Sequence, residues 1–332
     1  SEAEDLFKIL KNLKKEGKTI ILITHKLKEI MNVTDTVSVM RQGEMTATVE
    51  TAKTNPEKLA ELMVGRKVLL RIDKTVPTIG QSVLSCQKLN YTDEKGVHRL
   101  KDISFNVRGG EILGIAGVAG NGQSELLEVL AGIKKADGEL SVNSKKISLK
   151  SKNSNPLTRR QLGVSHVPED RQKLGLVMDF YAWENMALRY HQKNCYRSKK
   201  VFMNNSLLKL ETDERIKKFD IRPDNAFLRA KSFSGGNQQK IVLSREIEQN
   251  PDLLIVGQPT RGVDIGAIEF IHKRIIQLRD AGKAVILISV ELDEILSLSD
   301  RILVMFDGKI MGERKAADTD ERELGLLMAG IG

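Results

Sequence analysis

The stretch Gly117-Val118-Ala119-Gly120-Asn121-Gly122-Gln123-Ser124 has the spacing of a phosphate-binding loop, G-x-x-x-x-G-x-[ST], with glutamine where such loops carry lysine. The apolar run 111–116 before it reads as a buried strand, and 125–130 after it reads as the start of a helix. Glycines in that setting let successive backbone N–H groups face a phosphate, the helix N-terminus adds partial positive charge, and Ser124 can reach Mg²⁺. Gln123 keeps a donor but loses a charge. A hydrogen bond to a charged group is worth about 1.5–3 kcal/mol, so the loop reads as one that can hold a nucleotide without hydrolysing it. Taken alone, the same glycines also suit a strand-to-helix turn with no ligand.

Two further pieces follow. Ser232-Phe233-Ser234-Gly235-Gly236-Asn237-Gln238-Gln239-Lys240 precedes Leu253-Leu254-Ile255-Val256-Gly257-Gln258-Pro259-Thr260-Arg261-Gly262-Val263-Asp264. Read separately, Ser-Gly-Gly is a helix-capping turn and 253–256 a core strand. In this order and spacing, the three pieces together resemble the ATP-binding subunit of an ABC transporter. The resemblance implies an α/β P-loop core with a parallel sheet covered by helices on both faces, an antiparallel β subdomain and a helical subdomain, with ATP and Mg²⁺ as cofactors. It makes Gly117, Gly120, Asn121, Gly122, Gln123, Ser124 and Glu125 nucleotide-binding, with Ser124 the Mg²⁺ ligand. By the same resemblance Ser234, Gly235, Gly236, Asn237 and Gln238 form the signature motif, and Asp264 belongs to the D-loop.

The family pattern fails where catalysis would be done. Gln123 stands for the loop lysine, Gly257-Gln258 for the Asp-Glu that ends the Walker B strand, Glu169 for the Q-loop glutamine, and Val290 for the switch histidine. Glycine cannot help hold Mg²⁺, Gln258 cannot take a proton from water, and Val290 cannot contact a γ-phosphate. Glu169 could still serve as an Mg²⁺ ligand. These positions are scattered along the chain but are expected to converge on one phosphate, as a retired catalytic centre.

An internal repeat supplies a second half-site. Residues 17–30 match 282–295 at a constant offset of 265, which also pairs Asp35 with Asp300, Gly43 with Gly308, and Leu62-Met63-Val64-Gly65 with Leu327-Met328-Ala329-Gly330. At this offset His25, which follows an apolar strand pattern, occupies the switch position filled by Val290. The expected organisation is the C-terminal tail of a first nucleotide-binding domain (1–65), a linker (66–80) with Lys67, Arg71, Lys74 and Pro77, and a complete second domain (81–332). The chain therefore reads as a fragment of a longer tandem protein.

Composition agrees with this reading. The 332 residues are 40% hydrophobic, enough for one sizeable core and part of another. Two cysteines, Cys86 and Cys195, make no disulfide or metal framework, which points to a reducing compartment. No apolar run reaches the roughly 18 residues of a membrane span, so membrane association is expected through partners. The net charge of +9 is dispersed among 44 acidic residues, with only 4% aromatics. That favours a surface beside a membrane over a platform for stacked bases, so no nucleic acid partner is expected.

In the second domain, strand-like segments near 83–86 and 103–107 flank a polar turn, with Tyr91 a candidate for adenine stacking or an ordinary strand tyrosine. Residues 171–232 read as Lys-rich and helical. The resemblance makes them the helical subdomain that docks transmembrane subunits, with Phe180, Tyr181 and Trp183 either docking or core residues. Within the ABC group, residues 233–240, 168–171 and 258–271 are most similar to tandem ATPases of bacterial simple-sugar and nucleoside importers, and Gln123 with Gln258 leans toward the nucleoside branch. That resemblance implies two transmembrane permease subunits, an indirect solute-binding partner, and a place on the cytoplasmic face of the membrane. It also implies a head-to-tail pairing in which Ser234-Gly235-Gly236 completes the first domain's site, where His25 belongs. A non-transport ABC protein acting on ribosomes or DNA, and a regulatory nucleotide-binding module, are the competing readings.

Overall fold

Leu6, Ile9, Leu10 and Leu13 recur at helical spacing, and Glu2–Lys15 forms α1. The computed structural model describes residues 2–41, 43–69, 74–191, 196–198 and 202–331; Arg71 and Cys195 lie outside them. The chain divides into two compact units, residues 1–72 with 264–270, and residues 73–263 with 271–332.

In the first unit α1 is followed by α2 (Leu27–Val33), the antiparallel hairpin β1 (Thr36–Arg41) and β2 (Glu44–Glu50), and α3 (Pro56–Val64). The ends of α3 are set locally. Asn55 Oδ1 accepts from Lys58 N at 2.8 Å, Pro56 occupies the first turn where its missing N–H costs nothing, and Gly65 closes the helix at φ 83°. A small core of Ile30, Val39 and Leu59 holds hairpin and helices together.

The second unit starts with an antiparallel sheet. β3 (Ser82–Thr92) and β4 (His98–Arg108) pair with β6 (Asp137–Val142) and β7 (Lys145–Ile147) in the order β4-β3-β6-β7, while β5 (Ile112–Ala116) leads into α4 (Gln123–Leu130). α5 (Pro156–Gln161) and β8 (Val164–Val167) follow, then α6 (Ala182–Ala187), the short pair β9 (Arg197–Ser198) and β10 (Phe202–Met203), and α7 (Asn205–Lys218). α8 (Gly235–Ile247), β11 (Leu253–Gly257), α9 (Ile265–Asp280), β12 (Ala284–Ile288), α10 (Leu292–Leu298), β13 (Arg301–Phe306), β14 (Lys309–Lys315) and α11 (Glu321–Met328) complete the chain. The main sheet runs β14-β13-β5-β12-β11-β8, parallel except for β14. Every residue of β5, β11 and β12 is buried, so both faces are covered. One core joins Leu89, Leu100 and Ile103 of the antiparallel sheet to Leu113, Ile255 and Ile286 of the parallel one.

The 265-residue offset reappears element by element. α2, β1 and β2 span the positions of α10, β13 and β14 residue for residue, and the same bulge interrupts both hairpins, at Val39/Met40 and Val304/Met305. The Lys14–Asp35 ion pair has its counterpart in Arg279–Asp300 at 2.9 Å. One stretch differs. The apolar run before His25 forms no strand, and Ile21 and Ile23 are 88% and 95% exposed, whereas their counterparts Ile286 and Ile288 in β12 are 0% and 1% exposed. β12 is a strand because β5 and β11 flank it; apolar residues alone do not make one.

Two other expectations change. Among the described residues of 171–232, helix is less extensive than the pattern suggests: α6 is six residues long and only α7, with 14, is a full helix. Buried Asn185 takes over the bonds a helix would have made, accepting from Val177 N at 2.8 Å and donating to Val177 O at 3.0 Å. The linker is irregular over residues 74–80 but tied down there. Arg279 Nη2 donates to both Thr75 O and Thr75 Oγ1 at 3.0 Å, Lys74 Nζ donates to Ser299 O, and Gly80 N donates to Gly109 O at 2.8 Å. Gly110, at φ 74°, leaves room for Thr78 O, which a Cβ would meet at 2.1 Å. Among the described residues no helix is long and apolar enough to cross a membrane.

Arg279 is fully buried and joins the linker to Asp280 and Asp300. Removing one partner of a buried ion network costs about 3–5 kcal/mol. Arg279→Ala should therefore lower stability by that order in urea unfolding and expose residues 74–80 to protease. Unchanged cleavage near Lys74 would contradict the strap.

Candidate nucleotide site

β5 delivers the chain to the loop at Gly117, and α4 begins at Gln123 with no side chain capping its first turn, so its leading N–H groups are open to an anion. Two glycines are required by their neighbours. A Cβ on Gly122, at φ 100°, would meet Arg99 O at 2.5 Å, and one on Gly117 would meet Gln123 Nε2 at 1.9 Å and Met305 O at 2.8 Å. Gly120 has φ 92° and open space around it. Asn121 pins the loop to the β13–β14 turn, its Oδ1 accepting from Asp307 N and its backbone carbonyl from Gly308 N, both at 3.1 Å.

Gln123 does not reach outward as a lysine would. Its side chain is buried and donates from Nε2 to Val118 O at 3.1 Å, closing the loop on itself. Ser124 Oγ donates to Glu169 Oε2 at 2.6 Å. Glu169 comes this close because β11 ends in glycine: a Cβ on Gly257 would meet Glu169 Cγ and Leu127 Cδ1, each at 2.6 Å. Buried Gln258 sits at φ 48°, donates from its backbone N to Ile288 O at 2.7 Å and accepts from Val290 N at 3.4 Å. A non-glycine residue in that region stores strain, which is concentrated at functional sites.

Gln123, Ser124, Glu169, Gln258 and Val290, spread over 168 positions of sequence from 123 to 290, line one cavity of about 290 Å³ together with Arg261. Glu125 lies in the first turn of α4 and does not line it. Arg261 was missed as a site residue by sequence reasoning, although it is the one cation among the lining side chains. Arg171 was missed too: it donates to Arg261 O at 2.6 Å and Gly262 O at 3.3 Å, bracing the segment that carries Glu169. Its place in Pro168-Glu169-Asp170-Arg171, two residues after Glu169, was the available signal. Among the described residues no three His, Cys, Asp or Glu side chains cluster to hold a metal; the donors suited to Mg²⁺ are Ser124 Oγ and the Glu169 carboxylate, with phosphate oxygens and water to complete a shell.

The signature residues do not line this cavity. Exposed Ser234 caps α8, accepting from Asn237 Nδ2 at 2.9 Å, and Asn237 Oδ1 accepts from Arg222 N at 2.8 Å. Gly235 is hemmed in, since a Cβ would meet Arg171 Nη2 at 2.6 Å and Gly262 O at 2.7 Å; Gly236 is buried. Gln238 is buried and spends its amide on Ala230 O, Phe233 O and Gln172, so it shapes the motif from inside. Asp264 Oδ1 accepts from Ala267 N at 2.9 Å at the start of α9, and His25 is exposed on an irregular segment of the first unit. Tyr91 packs on the main core with the Lys134 ammonium 5.1 Å from its ring centre. Trp183 packs in a cluster with Tyr190 and Tyr196, while Phe180 and Tyr181 are exposed.

This is the fold of an ABC ATPase cassette, an α/β P-loop core with an antiparallel sheet beside it. Residues 100–261 match the family described as ABC transporter. A dimeric bacterial ABC transporter cassette, MJ0796, superposes with a TM-score of 0.61 over 70% of this chain and 98% of that one, at 23% identity. Along nearly its whole length the chain is similar to ABC transporter ATP-binding proteins. It is 47% identical over 330 residues to the guanosine import ATP-binding protein NupO of Bacillus subtilis, and 46% identical over 331 residues to the nucleoside import ATP-binding protein NupA of Lactococcus lactis; each alignment covers 99% of this chain and 64% of the relative. The ribose import ATP-binding protein RbsA of Clostridium tetani is 36% identical over 97% of this chain and 62% of its own length. The chain thus spans less than two thirds of these relatives.

The Gly257 contact is testable by a double-mutant cycle. Gly257→Ala should destabilise by about 1–3 kcal/mol as an overpacked site, and adding Glu169→Ala should recover part of that loss. Additive effects of the two changes in urea unfolding would show that Glu169 does not occupy the space Gly257 leaves.

Proposed function

We propose that this chain is part of the ATP-binding subunit of an ABC importer, in which the cassette of the second unit holds ATP at a non-hydrolytic site and lends its signature motif to a catalytic site in a partner cassette. The observation that carries the reading is the cavity where Gln123, Ser124, Glu169, Gln258 and Val290 meet. It keeps the backbone cradle and lacks a lysine, a paired Walker B acid and a switch histidine. With Glu169 engaged by Ser124 and assigned to Mg²⁺, and Gln258 unable to take a proton, no lining group would be left to activate water. Ser124 and Glu169 would hold Mg²⁺, which would neutralise phosphate charge there. Gln123, turned inward, stiffens the loop and leaves the phosphates to backbone N–H groups and Arg261.

The first unit is read as the tail of a preceding cassette, for which the repeat and the exposed Ile21 and Ile23 are the support: in a complete cassette those residues would lie in the central sheet, as Ile286 and Ile288 do. His25 would then be that cassette's switch residue, and Ser234-Gly235-Gly236 would face its ATP in a head-to-tail pair. Ser234, exposed at the N-cap of α8, suits that role. Closing and reopening of the pair would drive two permease subunits on the cytoplasmic side of the membrane, with cargo delivered by a solute-binding protein. The similarity to the guanosine and nucleoside import proteins favours a nucleoside as cargo, with a simple sugar as the second reading.

One reconstituted transporter containing the full-length protein tests these points together. Ser234→Arg should nearly abolish ATP hydrolysis, since loss of such phosphate-facing donors costs about 10²–10³ in rate, whereas Gln123→Ala should change turnover by only a small factor. Uptake of labelled guanosine should fall in parallel with hydrolysis. Equal losses in both variants would refute the division of labour, and uptake of ribose in place of nucleoside would reverse the cargo.

A further inference from the structure

A second cavity, of about 270 Å³, opens at β8, the edge strand of the main sheet, and shares no lining residue with the nucleotide cavity. Its charged lining is Arg159 and Arg160 of α5, His166 of β8, Arg189 just after α6, and Glu246 of α8. Arg159 is 1% exposed, and it donates from Nε to Leu130 O at 3.0 Å and from Nη2 to Ser154 Oγ at 3.1 Å. Among the described residues its Nη1 has no acceptor, and neither do the buried Nε of Arg160 and Nε2 of His166. Glu246, the only acid in the lining, is already engaged: Oε1 accepts from Arg245 Nε at 2.9 Å and Oε2 from the Tyr190 hydroxyl at 2.6 Å, with Arg189 Nη1 at 4.0 Å. Arg159 and Arg160 therefore have no carboxylate bonded to them in the cavity wall.

Buried charges without a partner are costly, so a polar cavity walled by them points to a ligand of opposite sign. Burial alone pushes the Arg159 guanidinium down to about 10; burial first, with the nearby Arg189, Arg245 and Arg160 charges adding to it against Glu246, pushes the His166 imidazole down to about 3. We propose that this cavity binds a small phosphate-class oxyanion, either inorganic phosphate or the head of a phosphomonoester. Guanidinium groups match phosphate oxygens in their fork geometry. The donors come from α5, β8 and the end of α6, a spread that suits a tetrahedral anion better than a planar carboxylate. The volume is several times the roughly 30 Å³ share of one water, leaving room for an attached group. Three residues beyond His166, the same chain segment places Glu169 at the nucleotide cavity, so the two sites share a support.

Calorimetric titration of the whole chain with inorganic phosphate, repeated with glycerol 3-phosphate and with acetate, tests this. Gly117→Ala, which drives a Cβ into Gln123 and Met305 O, disables the nucleotide loop; a phosphate site should survive in it. Arg160→Gln, checked by circular dichroism, should weaken that site about ten- to hundredfold, the loss expected for a charged hydrogen bond. If Arg160→Gln fails to fold, Arg189→Gln is read in its place, and the His166 ring resonances in Gly117→Ala should move on adding phosphate. Tighter binding of glycerol 3-phosphate identifies a phosphomonoester, and binding of phosphate alone identifies the free ion; both support the site. No binding at millimolar phosphate, loss of all binding in Gly117→Ala, or acetate binding as tightly as phosphate would overturn it.

Discussion

The missing side chain at Gly257 sets what the nucleotide cavity contains. Because β11 ends without a Cβ, Glu169 can lean past the end of the strand and take the Ser124 hydroxyl at 2.6 Å. Any longer residue at 257 would displace Glu169 or Leu127, and Leu127 belongs to the main core. The packing beneath the loop and the polar groups facing it are thus coupled. An acid placed at position 257 alone would meet an occupied space, so the proposed absence of hydrolysis would rest on packing as well as on single residues.

Magnitudes separate binding from turnover in such a site. The cradle of backbone N–H groups depends on Gly117, Gly122 and the uncapped start of α4, all of which are in place. Losing one charged donor at position 123 removes about 1.5–3 kcal/mol of binding. Losing a general base removes about 10²–10⁴ in rate, and the oxyanion-type donors lost with it remove a comparable factor. On the proposed reading the effects on rate exceed the effect on affinity, which would leave a nucleotide held and not consumed.

Much of this was legible in the sequence, because loop, signature and strand motifs are local and their order constrains the sheet. The convergence of Gln123, Glu169, Gln258 and Val290 could be expected from that order. What escaped was contact chemistry. Nothing in the sequence shows that Gln123 folds onto Val118 O, that Glu169 uses the space above Gly257, or that Arg171 braces residues 261–262. The apolar run 20–23 has the composition of its repeat partner in β12 without its neighbours, and strand structure follows pairing. Residues 171–232 carry a helical pattern, yet buried Asn185 organises their loops through backbone bonds.

The proposed retention of intact ATP by the cassette is open to direct measurement. Incubating the chain with α-labelled ATP and Mg²⁺, trapping the complex on a filter and chromatographing the bound nucleotide measures this directly. The recovered label should still be ATP after long incubation, with binding lost in Gly117→Ala. Bound label that converts steadily to ADP, and stops converting in Glu169→Gln, would contradict it.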